Sequence, residues 1–175
     1  MPDWSTDLPL PAPTFTVGAS SVRGDGVAQI RQACETFGWA MNLPTAGAWL
    51  SVEDEIRRLA RSTVNVCWYN TPPLWHNRAS APSMLIAARR PLVINRDPLV
   101  AHLWEVPPEE GIYHGTWHAD EGPGLEMVLQ GIAQQVADGR RLPIPDRPWQ
   151  HFRWQRAVHQ FVTVWTDERE RRRVP

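Results

Sequence analysis

Lysine is missing from this sequence: all 18 basic residues are arginine. That excludes Schiff-base catalysis and leaves phosphate recognition to guanidinium groups and backbone N–H donors. Cysteine is nearly missing as well. Cys34 and Cys67 fall in an expected helix and an expected strand, and they read as buried thiols rather than as a disulfide. No apolar run approaches the ~18 residues that span a bilayer. The opening MPDWSTDLPLPAPT has neither a basic region nor an apolar stretch, so it does not read as a signal peptide. A cytoplasmic protein without a membrane span is expected. Charge of one sign is lacking too: the net charge is −1, both signs are dispersed, and neither nucleic acid nor an anionic membrane is indicated. No repeat with a period of roughly 20–50 residues is visible.

What the chain does have is tryptophan and proline, ten and 17 respectively, in 175 residues. That length suits one domain with a real core. So much tryptophan suits large buried contacts or a partner surface.

Residues 1–13 carry four prolines and little periodicity, and read as an extended arm over the domain or over a partner. Residues 14–166 alternate strand and helix signals. Thr14–Val17 is a first strand, followed by a small-residue loop from Gly18 to Gly26. Val27–Phe37 has helical spacing and stops at Gly38. Trp39–Leu43 is a second strand. Ser51-Val52-Glu53-Asp54 is a capping box that opens a helix to about Ser62. A third strand runs from Val64 to Tyr69 and breaks at Asn70-Thr71-Pro72-Pro73. Ser80 is an N-cap for a helix to Arg89, with Pro82 in its first turn. Arg90-Pro91 stops that helix, and Leu92–Ile94 is the next strand. A short helix over Leu99–Trp104, a fifth strand over Ile112–His114 and a well-patterned helix over Leu125–Ala137 follow. After the proline-rich link Arg141–Pro148, a last helix is expected from Trp149 to about Trp165. Trp154, Val158, Phe161 and Trp165 line one of its faces. Residues 167–175 form a charged tail.

Strand–helix–strand spacing of this kind implies parallel pairing. The expected fold is α/β: a single doubly wound Rossmann-like domain, about five parallel strands with helices on both faces, and a C-terminal crossing helix.

Residues 80–103, SAPSMLIAARRPLVINRDPLVAHL, resemble a passage of the GT-B glycosyltransferases. There, a helix ending A-x-G-x-P leads into a strand and a short helix. In that family the passage belongs to the C-terminal of two Rossmann-like domains, which binds the nucleotide-sugar donor. The resemblance extends in element order over roughly residues 14–166. It implies a glycosyltransferase-like half protein that would bind a nucleotide or nucleotide sugar. Such a protein would work with a separate acceptor-binding chain, and the final helix resembles the one that crosses to the acceptor domain. The sequence also departs from the family. Aligned on Pro91, the two donor-binding carboxylates fall at Met84 and at His76-Asn77. The family's Arg and Lys after the first strand have no counterpart beyond Arg23. The alternative is therefore a pseudoenzyme: a non-catalytic interaction or assembly module that keeps the fold without donor chemistry.

In a doubly wound sheet the ligand lies outside the carboxyl ends of the strands. Three loops supply candidates for nucleotide or phosphate binding. Ser20, Ser21, Arg23 and Gly24 form either a phosphate cradle or a plain glycine turn with a solvated arginine. Tyr69 and Asn70, with Trp75 and His76, either meet a base or pack a proline-bounded loop. Arg78, Ser80 and Ala81 either hold an anion at a helix N-terminus or simply cap the helix. Trp149, His151, Trp154 and Trp165 are the candidate surface for a protein partner or a second copy. No catalytic residue is assigned. His114, His118, Asp120 and Glu121 could supply metal ligands, but a loop leading into an acidic helix start explains them more simply, so no metal is expected. No resident cofactor is expected either, apart from the possible nucleotide-sugar donor.

Overall fold

The fold is given by a computed structural model describing residues 8–20, 25–45, 50–68, 80–95, 98–118 and 120–146. Its elements in chain order are β1 (Thr16–Ala19), α1 (Asp25–Phe37), β2 (Ala40–Asn42), α2 (Val52–Leu59), β3 (Val64–Cys67), α3 (Ser80–Ala87), β4 (Leu92–Asn95), β5 (Ile112–Gly115) and α4 (Leu125–Ala137). Two 3-10 turns, Pro98–Leu103 and Pro108–Glu110, carry the chain from β4 to β5. All pairings are parallel, in one five-stranded sheet of order β2-β1-β3-β4-β5. The doubly wound α/β domain expected from the sequence is the one observed.

Strand periodicity explains how both faces are covered. Side chains alternate along a strand, so each strand feeds two cores. Val64 and Val66 of β3 and Val93 of β4 pack with Ile30 and Ala33 of α1 and Leu129 and Ile132 of α4. Cys67, Leu92, Ile94 and Ile112 pack the other way, against Ile56 and Leu59 of α2 and Leu85 and Ile86 of α3. Leu85, Ile86, Leu92 and Ile94 are wholly buried. Burying each such side chain stabilises the fold by roughly 1.5–3 kcal/mol. The crossovers β2→β3, β3→β4 and β4→β5 advance along the sheet on the α2/α3 face. The β1→β2 crossover moves the opposite way and lies on the other face, as crossovers of a single hand require.

Local signals account for most boundaries. Ser51 Oγ accepts from the Asp54 N–H at 3.0 Å, as the capping box demands, and Arg57 and Arg58 close α2 in line with the helix dipole. Several ends differ from the sequence expectation. β1 is displaced two residues onward, to Thr16–Ala19, because both of its neighbours pair with Gly18. β3 stops at Cys67 rather than Tyr69. α3 stops at Ala87 rather than Arg89, because Arg89 takes a left-handed φ of 52° and turns the chain into β4. The short helix after β4 is a kinked 3-10 turn rather than an α-helix.

The amino-terminal edge of the sheet is closed by both chain arms. Arg90 donates to Pro9 O at 2.6 Å and to Ala60 O at 2.8 Å, and the Ala12 N–H donates to Arg61 O. Burial, followed by the charge of Arg89, lowers the Arg90 pKa from its usual value. The proline-rich arm, from residue 8 on, is therefore laid over the domain. Beyond α4, Asp146 pairs with Arg89. No helix among the described residues is long and apolar enough to cross a membrane. The expected C-terminal helix and charged tail lie outside the described residues.

Candidate functional site

The strand order reverses once, between β1 and β3. In a parallel doubly wound sheet that reversal opens a crevice at the carboxyl ends, because the connections leaving the two strands go to opposite faces. The chain leaves these two strands at Ser20, after β1, and at Trp68, after β3. Sequence reasoning put two of its three candidate loops in these places, so the topology brings their anchor points together. Ser20 follows β1 directly and is half-buried. Ser80 and Ala81 open α3, the helix that follows β3. Ser21, Arg23, Gly24, Tyr69, Asn70, Trp75, His76 and Arg78 lie outside the described residues. So do Trp149, His151, Trp154 and Trp165.

On the α1/α4 side of the crevice the dominant group is Trp68. The indole reaches Gly115 at the end of β5, and its backbone carbonyl lies against Gly26 in the first turn of α1. A Cβ at either glycine would run into it, so both positions need glycine. Trp117 lies beside it, with ring centroids 6.2 Å apart. Trp68 is 7% exposed, and its Nε1–H is buried with no acceptor among the described residues. A buried indole donor ordinarily finds a partner, so this one marks where an acceptor belongs.

On the α2/α3 side, a guanidinium closes the ends of β1 and β2. Arg58 leaves the last turn of α2 and its side chain runs back toward the helix start. Its Nε donates to Glu55 Oε2 at 2.8 Å and its Nη2 to Glu55 Oε1 at 2.6 Å, the two-pronged geometry in which Arg binds carboxylate best. Nη2 also donates to Ala19 O at 2.7 Å, and Nη1 donates to Asn42 O at 2.5 Å and Asn42 Oδ1 at 2.9 Å. All five N–H donors of Arg58 are used. Asn42 in turn donates through Nδ2 to Arg58 O at 2.7 Å and Ser62 Oγ at 2.9 Å. Beside this cluster, Asn65 is wholly buried in β3, and neither amide atom has a hydrogen-bond partner among the described residues.

The remaining candidates separate. His114 Nε2 donates to Val106 O at 2.7 Å, holding the 3-10 connection to β5 on the α2/α3 face. His118 is exposed in the next loop, where Thr116 Oγ1 donates to its carbonyl. Among the described residues no three His, Cys, Asp or Glu side chains come together as a metal site. Cys34 and Cys67 are both buried and neither forms a disulfide. They belong to cores on opposite faces, with the sheet between them. Burial, then the nearby Glu35, pushes the Cys34 thiol up to about 11, far from a reactive thiolate at neutral pH.

Sequence reasoning missed Trp68, Asn65 and the Glu55–Arg58–Asn42 cluster. Two signals were present. Asn65 interrupts an apolar strand, and Glu55 and Arg58 sit three apart on a helix, which is salt-bridge spacing. In a comparison with known proteins, the chain matches no family model and no curated sequence.

Proposed function

We propose that this chain is a glycosyltransferase-like half protein. It would bind a nucleotide or nucleotide sugar at the β1/β3 crevice and work in the cytoplasm with a separate chain that holds the acceptor. The observation that carries this reading is the strand order: its reversal falls between the two strands whose following loops hold Ser20, Ser21, Arg23, Gly24, Tyr69 and Asn70. The orphan N–H of Trp68 adds a buried donor on the same side of the sheet. In transfer of a hexosyl group, the bond between the anomeric carbon and the diphosphate breaks, a bond to the acceptor hydroxyl oxygen forms, and the hydroxyl proton passes to the departing diphosphate. Arg23 and the N-terminal N–H groups of α1 would stabilise the departing diphosphate.

A second reading has its own support. Arg58, the arginine fixed at the crevice, has no donor left for a phosphate. The positions of the family's carboxylates hold Met84 and His76-Asn77. Both facts favour an interaction or assembly module that keeps the fold without donor chemistry.

A thermal-shift titration against UDP-, GDP-, ADP- and TDP-sugars separates the two. A ligand at about 100 times its Kd stabilises the folded state by roughly 2.7 kcal/mol, a clear rise in Tm. A rise that Arg23→Ala abolishes supports the first reading. No rise with any member of the panel sinks it and leaves the second.

A further inference from the structure

The exposed side of α4 is unlike the other helical surfaces. Met127, Gln130, Gly131, Gln134 and Ala137 are exposed there and uncharged, and Glu126 in the first turn is the one exposed charge within the helix. The exposed positions of α1 include Arg31 and Glu35, and those of α2 include Asp54 and Arg57. Solvated helix faces ordinarily carry such charges. Met127 is 64% exposed and Val136 38%. Together with Phe15 and Trp39, these α4 residues line an open groove of about 730 Å³. Trp39 closes one end of it by packing on Phe15 and Phe37, with ring centroids 4.9 and 4.7 Å away.

The chain supplies a segment that matches it. Phe15 and Trp39 immediately precede β1 and β2, and Val136 and Ala137 lie in the last turn of α4, so the groove opens at the amino-terminal edge of the sheet. The described chain ends at that same edge. The backbone of Ile144 and Pro145 lies against Gly111 just before β5, and Asp146 pairs with Arg89 just before β4. Residues 147–175 follow. They carry Trp154, Val158, Phe161 and Trp165 at helical spacing, with Arg153 and Arg156 off the stripe. As a helix that stripe spans about 16 Å, and α4 from Met127 to Ala137 spans about 15 Å.

We propose that the C-terminal segment of this chain, through Trp154, Val158, Phe161 and Trp165, docks into the groove formed by α4, Phe15 and Trp39. Gly131 lets the two backbones approach, since nothing stands within 4 Å of a Cβ placed there. Gln130 and Gln134 provide acceptors for the indole N–H groups. This occupancy is intramolecular and takes Trp154 and Trp165 away from any partner. It is independent of whether a nucleotide binds at the opposite edge of the sheet.

The test uses the full chain and a disulfide trap. Gly131→Cys combined with Val158→Cys is oxidised at low protein concentration, as a mixture of isotope-labelled and unlabelled chains. Cys34 and Cys67 stay in place, because both are buried. A disulfide between positions 131 and 158 within one chain is the expected product. Crosslinks joining labelled to unlabelled chains would show that a second copy fills the groove, and that overturns the proposal. Absence of any 131–158 crosslink overturns it too. Hydrogen exchange gives a check that does not depend on the trap. Gly131→Arg should speed exchange in residues 149–165 by about tenfold or more while the sheet amides keep their protection. Unchanged exchange in that segment counts against docking. If Gly131→Arg disturbs the sheet itself, Trp154→Ala with Trp165→Ala replaces it, and faster exchange along α4 is the expected result.

Discussion

The two faces of the sheet solve the burial problem differently. The α1/α4 face excludes charge: its core is aliphatic and aromatic, and its ionisable groups, Cys34 and Tyr113, are held neutral by burial. The α2/α3 face admits charge. Glu55 and Arg58 have side chains only 10% and 15% exposed, and the pair ties the ends of two strands to a helix. The first arrangement needs shape and, for the buried Trp68 N–H, an acceptor. The second needs every donor matched, because a buried charge without its partner is far worse than an apolar residue. The aliphatic packing on either face therefore tolerates volume-conserving change, and the Glu55–Arg58 cluster tolerates almost none.

The largest expected effect follows on the charged face. Arg58→Ala strands the Glu55 carboxylate and removes donors from Ala19 O, Asn42 O and Asn42 Oδ1. Removing one partner of a buried pair costs about 3–5 kcal/mol. Urea unfolding should show that loss, with little change in m. The double variant Arg58→Met/Glu55→Leu should recover much of it, since no charge is then left unpaired. A loss below about 1 kcal/mol for Arg58→Ala would mean that the network is solvated and the contrast between the faces is false.

The neutral face is tested by alkali. Cys34 is raised to about 11 from 9.0 by burial first and the Glu35 charge second. Tyr113 is raised by burial and then by Glu109, with a hydrogen bond to Gln135 opposing. For both groups the folded pKa exceeds the unfolded one, so the unfolded state loses its proton first. Stability from Cys34 is thus fully present below pH 9.0 and drains away as the pH climbs through about 11. A decline on the order of 2 kcal/mol is expected over that window. Cys34→Ala should flatten the slope while lowering stability at neutral pH. An unchanged slope would place the titrating group elsewhere.

The contrast between the faces also explains how much the sequence reveals. Apolar periodicity is local, so α4 runs from Leu125 to Ala137 as its spacing predicts, and the Ser51 cap is where the capping box puts it. The sheet and its two layers follow from the same signal. The charged cluster is not local. Arg58 meets Ala19 across 39 positions and Asn42 across 16, and no short pattern encodes such contacts. The misplacement of β1 has the same origin. Gly18 resembles the start of a loop, yet it lies inside the strand because both neighbouring strands pair with it, and Ser62 and Asn65 fill the space a side chain would need. Of the candidate site, only the anchor points are visible: Ser20 and Trp68 leave β1 and β3 on either side of the strand-order reversal. The sequence did not single out Trp68, since a tryptophan ending an apolar strand looks like any other core residue.

Trp68 carries the smallest expected effect and the sharpest one. Trp68→Phe keeps most of the ring volume beside Gly115 and deletes the buried Nε1–H. Losing part of the ring creates a small cavity, while deleting an unpaired donor relieves a penalty of about 1–3 kcal/mol. The two nearly cancel, so unliganded stability should move by less than about 1 kcal/mol. Trp68→Ala, which also removes the ring, should cost about 3–5 kcal/mol. If Trp68→Phe alone costs more than about 2 kcal/mol, the N–H already has its acceptor within the protein, and the neutral face holds a hydrogen bond as exacting as those of Arg58. If it costs little and also shrinks the thermal shift given by a nucleotide sugar, the missing acceptor belongs to the ligand. The α1/α4 face would then leave one donor unmatched until the crevice is filled.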